Sequence, residues 1–296
     1  MPLVETRLSS KPATVGDFTV RRVIPQRERR FVGPFCFLDH MGPHTTTGTA
    51  EGGVAPHPHI GLATVTYLFD GEILHRDSLG TEQRISPGDV NWMTAGNGIV
   101  HSERTPPSLI GRSYTLHGLQ FWVALPLSRE EGPPSFQHAA RSSLPVVEGD
   151  GVSLRVVLGQ WGSLTSPVAI ASPLTLAIAE LDAGAELDLD TLHPERAVYV
   201  VDGEARFGND GFKEGELAVL GASERGTVTA LTNTRLAFMA GAPLDGPRHL
   251  LWNFVASSRE KLAQAREDWI SGVRFKDVPG DAGPRIPFPE ALTHAR

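Results

Sequence analysis

Apolar residues in this chain come in short runs, and each is soon broken by glycine, proline, asparagine or aspartate. The strongest runs from Gly61 to Phe69 and contains Val65, Thr66, Tyr67 and Phe69. Asp70-Gly71 follows, then Ile73 and a return through His75, a spacing that predicts a hairpin with a two-residue turn. Ahead of it, Phe18-Thr19-Val20, Arg22-Val23-Ile24, Phe31-Val32 and Phe35 to Leu38 predict early strands interrupted at Gly33-Pro34. Met41 to Pro56 is rich in glycine, threonine and proline, shows no period, and predicts an irregular loop. Downstream, Ser86-Pro87-Gly88-Asp89 turns the chain into Val90-Asn91-Trp92-Met93. Gly96 and Gly98 then permit a tight bend that aims His101 inward, or serve as plain barrel architecture. Tyr114 to Pro126 closes this half.

A second series of runs begins at Val152 to Leu158 and continues through Leu174 to Ile178, Ala197 to Val201 and Leu217 to Leu220. The halves resemble each other, since Tyr67-Leu68-Phe69-Asp70-Gly71-Glu72 corresponds to Tyr199-Val200-Val201-Asp202-Gly203-Glu204. Such a pattern points to a duplicated all-β barrel. From Arg129 the composition shifts to Glu130-Glu131-Gly132-Pro133-Pro134 with little apolar content. The expected organisation is therefore a first barrel over 1–130, a linker over 131–150, and a second barrel over 151–296 carrying a helix and tail. That helix starts at the capping box Ser257-Ser258-Arg259-Glu260, places Leu262, Ala265 and Trp269 on one face, and stops at Gly272. From Pro279 to Arg296 a proline-rich tail predicts an extended strap or partial disorder.

Composition narrows the function. Glycine at 31 and proline at 23 among 296 residues favour many strands and turns over long helices. A net charge of -7 without a basic block disfavours nucleic acid as a partner. Cys36 is the one cysteine, so no internal disulfide forms, and its apolar surroundings predict a core residue. The N-terminus lacks a signal-length apolar core and no segment approaches a membrane span, from which a soluble cytoplasmic protein is expected.

The chemistry concentrates in two pairs, His57-Pro58-His59 and His101-Ser102-Glu103. Residues two apart on a strand share a face, so each pair presents two ligand-type groups together. Three imidazoles and a carboxylate then suit iron(II), and also manganese, nickel, copper or zinc. A six-coordinate ion would keep two open positions for chemistry, whereas tetrahedral zinc would be closed and structural. Asp39 is a candidate acceptor for a ligand's second nitrogen. His75 and His117 lie in strand-like runs and face either way; His40 and His44 border a loop and are expected in solvent. Arg76-Asp77 reads as a solvated pair. In the second half His193-Pro194-Glu195 stands where the histidine pair would be, and a second metal site is not expected.

Those pairs, together with Thr64 to Leu68, His75 to Gly80, Pro87 to Val90, Trp92 to Gly96, Gly98 to Val100 and Leu116 to Gln120, resemble motifs of the pirin family of the cupin superfamily. The resemblance implies a bicupin, two jelly-roll-like β-barrels with a C-terminal helix, holding one mononuclear metal, usually iron, in the N-terminal barrel. It places His57, His59, His101 and Glu103 at the ligand positions. Some pirins resemble quercetin 2,3-dioxygenases, which implies a flavonol-like aromatic substrate and a second role for Glu103 as catalytic acceptor of the substrate hydroxyl proton. Others imply a non-catalytic redox-sensing regulator that binds a protein partner. A zinc-dependent sugar-phosphate isomerase is disfavoured, because no basic cluster accompanies the ligands. The sequence departs from the family at Ile60 and Ala63, where arginine and glutamate are usual, so the site loses charge without losing a ligand.

Overall fold

The computed structural model describes residues 3–16, 18–189, 192–222 and 226–292. The chain divides into two compact units that interleave along the sequence. One holds Met1–Ala13, Arg21–His40 and Ala139–Leu244; the other holds Thr14–Val20, Met41–His138 and Asp245–Arg296. Val4–Ser9 pairs antiparallel with Glu216–Leu220 and so belongs with the later strands.

The first unit is a two-layer β structure. Seven strands run in the order Val4–Ser9, Glu216–Leu220, Glu195–Asp202, Thr234–Gly241, Leu174–Leu181, Val152–Leu158 and Val146–Gly149. A four-stranded sheet of Glu186–Asp188, Thr227–Ala230, Glu204–Phe207 and Asp210–Lys213 accompanies it. Alternate residues of these strands, among them Val198, Val200, Phe207, Phe212 and Phe238, form its core.

The other unit repeats the plan. A seven-stranded sheet runs Ser135–Ala139, Val90–Thr94, Leu62–Asp70, Ser113–Ala124, Phe35–Thr47, Phe18–Ile24 and Lys11–Val15, the last three strands contributing to this unit only through residues 41–47, 18–20 and 14–15. A four-stranded sheet orders Gly53–His59, Ile99–Arg104, Ile73–Asp77 and Glu82–Ile85. This smaller sheet carries both histidine pairs.

Three local expectations are corrected. Asp70-Gly71 does not close a hairpin, because Leu62–Asp70 and Ile73–Asp77 lie in different sheets. The turn carries the chain from one layer to the other, and Asp202-Gly203 repeats the move, which is why both turns look alike in sequence. Residues 41–47 are not a loop but the second half of the strand Phe35–Thr47, with half-buried and exposed positions alternating. Threonines supplied β-propensity there that glycine and proline masked. Residues 131–150 contribute an edge strand to each large sheet, Ser135–Ala139 and Val146–Gly149; an edge needs little apolar content.

Helix α1 (Arg259–Ser271) belongs to the unit of residues 41–138. Its N-cap is Ser258, whose side chain accepts from the Lys261 amide, rather than Ser257, whose own amide is taken by Glu130 Oε1 at 2.9 Å. Gly272 ends it in the left-handed conformation, φ 72°. Leu262, Ala265 and Trp269 face a cluster of Ile60, Val100, Phe254, Phe275, Val278 and Phe288. Burying a leucine such as Leu262 contributes about 1.5–3 kcal/mol. The tail is an ordered strap as far as it is described: the Ile286 amide donates to Pro56 O at 2.8 Å, and Trp269 Nε1 donates to Ile286 O at 3.0 Å. Residues 293–296 of the expected strap lie outside the described residues. Cys36 is buried, in keeping with its apolar run. No helix among the described residues is long and apolar enough to cross a membrane.

Candidate metal centre

The strands Gly53–His59 and Ile99–Arg104 pair antiparallel with His101 opposite His57 and Ile99 opposite His59. That register sets His57, His59 and His101 on one face at one level. All three are buried, and one ring nitrogen from each lies within 4.8 Å of the others. Each ring's remaining nitrogen has its own neighbour. His57 Nδ1 stands 2.8 Å from Ala55 O, and His59 Nδ1 stands 3.0 Å from Asn253 O. A carbonyl oxygen only accepts, so both rings carry hydrogen on Nδ1 and keep a bare lone pair on Nε2.

Among these nitrogens, Nε2 of His59 and of His101 are 3.1 Å apart. Two lone pairs at that distance repel unless a cation or proton lies between them. Nitrogens adjacent on one ion, bound at about 2.1 Å, stand about 3 Å apart. The donor set therefore fits a divalent metal.

Glu103, two residues beyond His101 on the same strand, adjoins the three closely grouped nitrogens without being one of that group. Pairing slips between His101 and Glu103, so that Val54 and not Ala55 opposes it. Its Oε1 lies 3.4 Å from Thr66 Oγ1, whose proton has a closer acceptor in Gln120 Oε1 at 2.8 Å. Burial pushes the Glu103 carboxyl up, although His75 and Thr66 pull it down. Raised in this way, it is a better proton acceptor than a free carboxylate.

Two side chains stand behind the triad: His75, whose direction the sequence left open, and Asp77, which the sequence predicts in a solvated pair. His75, opposite Glu103, places Nδ1 3.4 Å from His101 Nδ1 and Nε2 3.0 Å from Asp77 Oδ2. Asp77 is fully buried and not a solvated partner of Arg76, which pairs with Glu82 at 2.7 Å. Strand alternation explains the division: positions 75 and 77 face inward and 76 outward. Phe136 stacks on His75 at 4.5 Å, and Trp122 meets His59 edge-on at 5.2 Å.

Asp39 is not part of the centre, because Arg22 holds both its oxygens at 2.9 and 2.8 Å. His40 is buried against Tyr199 OH at 2.9 Å instead of facing solvent, while His44 stacks on Phe18. His117 sits outside the cluster beside Phe69. Gly96 has φ 50°, and its Cα faces the Gly132 carbonyl so closely that a Cβ would overlap it, which makes it architectural. Ile60 and Ala63 are core residues.

Burial pushes all three histidines of the cluster down, His57 to about 4 and the other two well below their ordinary value, so the metal-free rings are neutral at pH 7. In the unfolded chain the same ring titrates near 6.5. Between these values the unfolded state binds a proton that the folded state refuses, so stability falls as pH drops from 6.5 towards 4. His57 alone accounts for about 2 kcal/mol between about pH 7 and pH 5. Urea unfolding of the metal-free protein at the two pH values is expected to show at least this loss, with a shallower dependence in His57→Gln.

Comparison with known proteins agrees with this geometry. A family model described as Pirin matches residues 17–123, and one described as Pirin C-terminal cupin domain matches 176–276. A pirin-like protein of Caulobacter vibrioides is 41% identical over 97% of this chain and 100% of its own length. A candidate quercetin 2,3-dioxygenase of Pseudomonas aeruginosa is 38% identical over 96% of this chain and 89% of its own. The crystal structure of quercetin 2,3-dioxygenase from Acinetobacter baumannii superposes with a TM-score of 0.87 at 35% identity, covering 96% of this chain and 94% of that one.

Proposed function

The chain belongs to the pirin family, with an N-terminal and a C-terminal cupin domain, and from that premise we propose that it is a metal-dependent oxidoreductase of the quercetin 2,3-dioxygenase type. The observation that carries the reading is the triad of buried, neutral imidazoles, with Nε2 of His59 and of His101 3.1 Å apart and one nitrogen of each ring within 4.8 Å of the others. Likeness to a quercetin dioxygenase over nearly the whole chain supports the substrate class.

In this reading His57, His59, His101 and Glu103 hold the ion, and iron(II) is its first candidate. When bound, the metal supplies Lewis acidity to a flavonol's hydroxyl and keto oxygens and a redox partner for dioxygen. The protein does the remainder. Glu103, its carboxyl pushed up by burial, accepts the proton that the flavonol hydroxyl must release. Trp122, buried edge-on against His59, contributes apolar surface beside the triad, while Phe136 packs behind it on His75. Ile60, packed with Val100 and Phe254, and Ala63 are buried core positions and bring no charged group to the site.

The test is anaerobic reconstitution with iron(II), followed by oxygen uptake on adding quercetin. Wild type is expected to consume oxygen only with metal present, and both His101→Ala and Glu103→Ala are expected to lose uptake. Tight metal binding without flavonol-dependent uptake would overturn the assignment and favour a metal-dependent regulator that binds a protein partner.

A further inference from the structure

His57 and His59 each have a backbone carbonyl to fix the position of their ring hydrogen; His101 has none in that position. What faces its Nδ1 is another imidazole, which by itself could either donate or accept. The direction of this bond decides whether His101 can serve as a ligand. If His75 donated, His101 Nδ1 would have to accept and its hydrogen would sit on Nε2, facing the other two rings and blocking metal.

The surroundings of His75 settle the direction. Asp77 Oδ1 accepts from the amides of Leu79 at 2.9 Å and Thr81 at 3.1 Å, which locks the carboxylate in a tight turn. Its free oxygen, Oδ2, then meets His75 Nε2 at 3.0 Å. Phe136 stacks on the His75 ring with planes 23° apart and holds its orientation. A carboxylate accepts and does not donate, so His75 keeps its hydrogen on Nε2 and its lone pair on Nδ1.

We propose that Asp77 and His75 are positioning residues for the metal centre: Asp77 orients His75, and His75 accepts the Nδ1 hydrogen of His101, leaving His101 Nε2 bare and aimed with those of His57 and His59. The arrangement is a carboxylate-to-histidine support lengthened by one imidazole. It rests on the triad binding a metal and is independent of the substrate.

Asp77→Asn inverts the chain of hydrogen bonds with little change in shape. The carboxamide can still accept from Leu79 and Thr81 through its oxygen, while its nitrogen donates to His75 Nε2. His75 must then carry its hydrogen on Nδ1, opposite His101, and His101 moves its own to Nε2. Nitrogen-15 NMR of the metal-free proteins reads this directly: the wild type is expected to show His101 protonated on Nδ1, its bare Nε2 drawing away from that of His59 when no ion lies between them, and the variant on Nε2. Cobalt(II) titration is expected to show about 10- to 100-fold weaker binding in the variant. His75→Phe keeps the stack on Phe136 and removes the acceptor, so it should weaken cobalt(II) comparably, whereas His75→Gln restores an acceptor and part of the affinity.

An unchanged His101 tautomer in Asp77→Asn, or wild-type cobalt(II) affinity in His75→Phe, would overturn the proposal. Should Asp77→Asn not fold, the His75→Phe and His75→Gln pair decides, equal affinities in the two counting against it. A wild type that binds no cobalt(II) yet shows the expected His101 tautomer would sink the metal reading and leave the hydrogen-bond chain standing.

Discussion

Gly61→Ala is expected to destabilise the protein by about 3 kcal/mol and to weaken metal binding at least about tenfold, although residue 61 touches none of the clustered histidines. Gly61 has φ 65°, where a side chain costs about 1–2 kcal/mol. A Cβ there would also overlap the carbonyl oxygen of Val255. That close approach is functional, because residues 253–255 run beside 59–61. Phe254 bridges Ile60, the Val255 amide donates to Ile60 O at 3.2 Å, and Asn253 O faces His59 Nδ1. To admit a methyl group the 253–255 segment must move outward, and His59 then loses the acceptor that fixes its ring. Thermal unfolding of the metal-free protein and cobalt(II) titration measure the two effects separately. Wild-type affinity in a destabilised Gly61→Ala would show that Asn253 does not orient His59.

This coupling also marks the limit of what the sequence disclosed. The two pairs were legible because strand periodicity is local: His57 with His59, and His101 with Glu103, needed only alternation along one strand. Two barrels were legible because the turns at Asp70-Gly71 and Asp202-Gly203 repeat, even though each crosses between sheets and closes no hairpin. The supports of the site were not legible. Asn253 contributes a carbonyl, which every residue has, from 194 positions away. Asp77 lies beside Arg76 in sequence, and only its buried, inward position separates it from a surface ion pair. Glu103 shows the converse. Alternation along Ile99–Arg104 keeps it on the face of His101, as the unbroken pairing with Ile73–Asp77 shows, while the extra residue sits in the opposing strand Gly53–His59, which no spacing rule contains.

Asp281→Ala is expected to cost about 3–5 kcal/mol, although it lies away from the histidine cluster. Arg104, the residue after Glu103, points to the outer face of the sheet that carries the histidines and is buried. Its Nε donates to Asp281 Oδ2 at 2.8 Å and its second guanidinium nitrogen to Oδ1 at 3.2 Å, while the third reaches Glu51 O at 2.7 Å. The planar fork fits the carboxylate at both oxygens, a pairing that lysine would not reproduce. Removing Asp281 strands a buried cation and frees the strap that runs on to Ile286 and its bond to Pro56, next to His57. Limited proteolysis should therefore cut the strap faster in the variant. The pH dependence adds a check. Burial pushes the Asp281 carboxyl up, but the hydrogen bonds from Arg104 and the Gly283 amide outweigh it and hold it at about 2, below its ordinary 3.8. Its stabilisation is thus complete above about pH 4 and fades as pH falls towards 2. Chemical unfolding at about pH 7 and pH 5 should give the same difference between wild type and Asp281→Ala. A double variant Arg104→Met with Asp281→Leu, in which no charge is left buried, should recover most of the loss; failure to recover it would mean that the strap depends on the ion pair itself and not on covering the sheet.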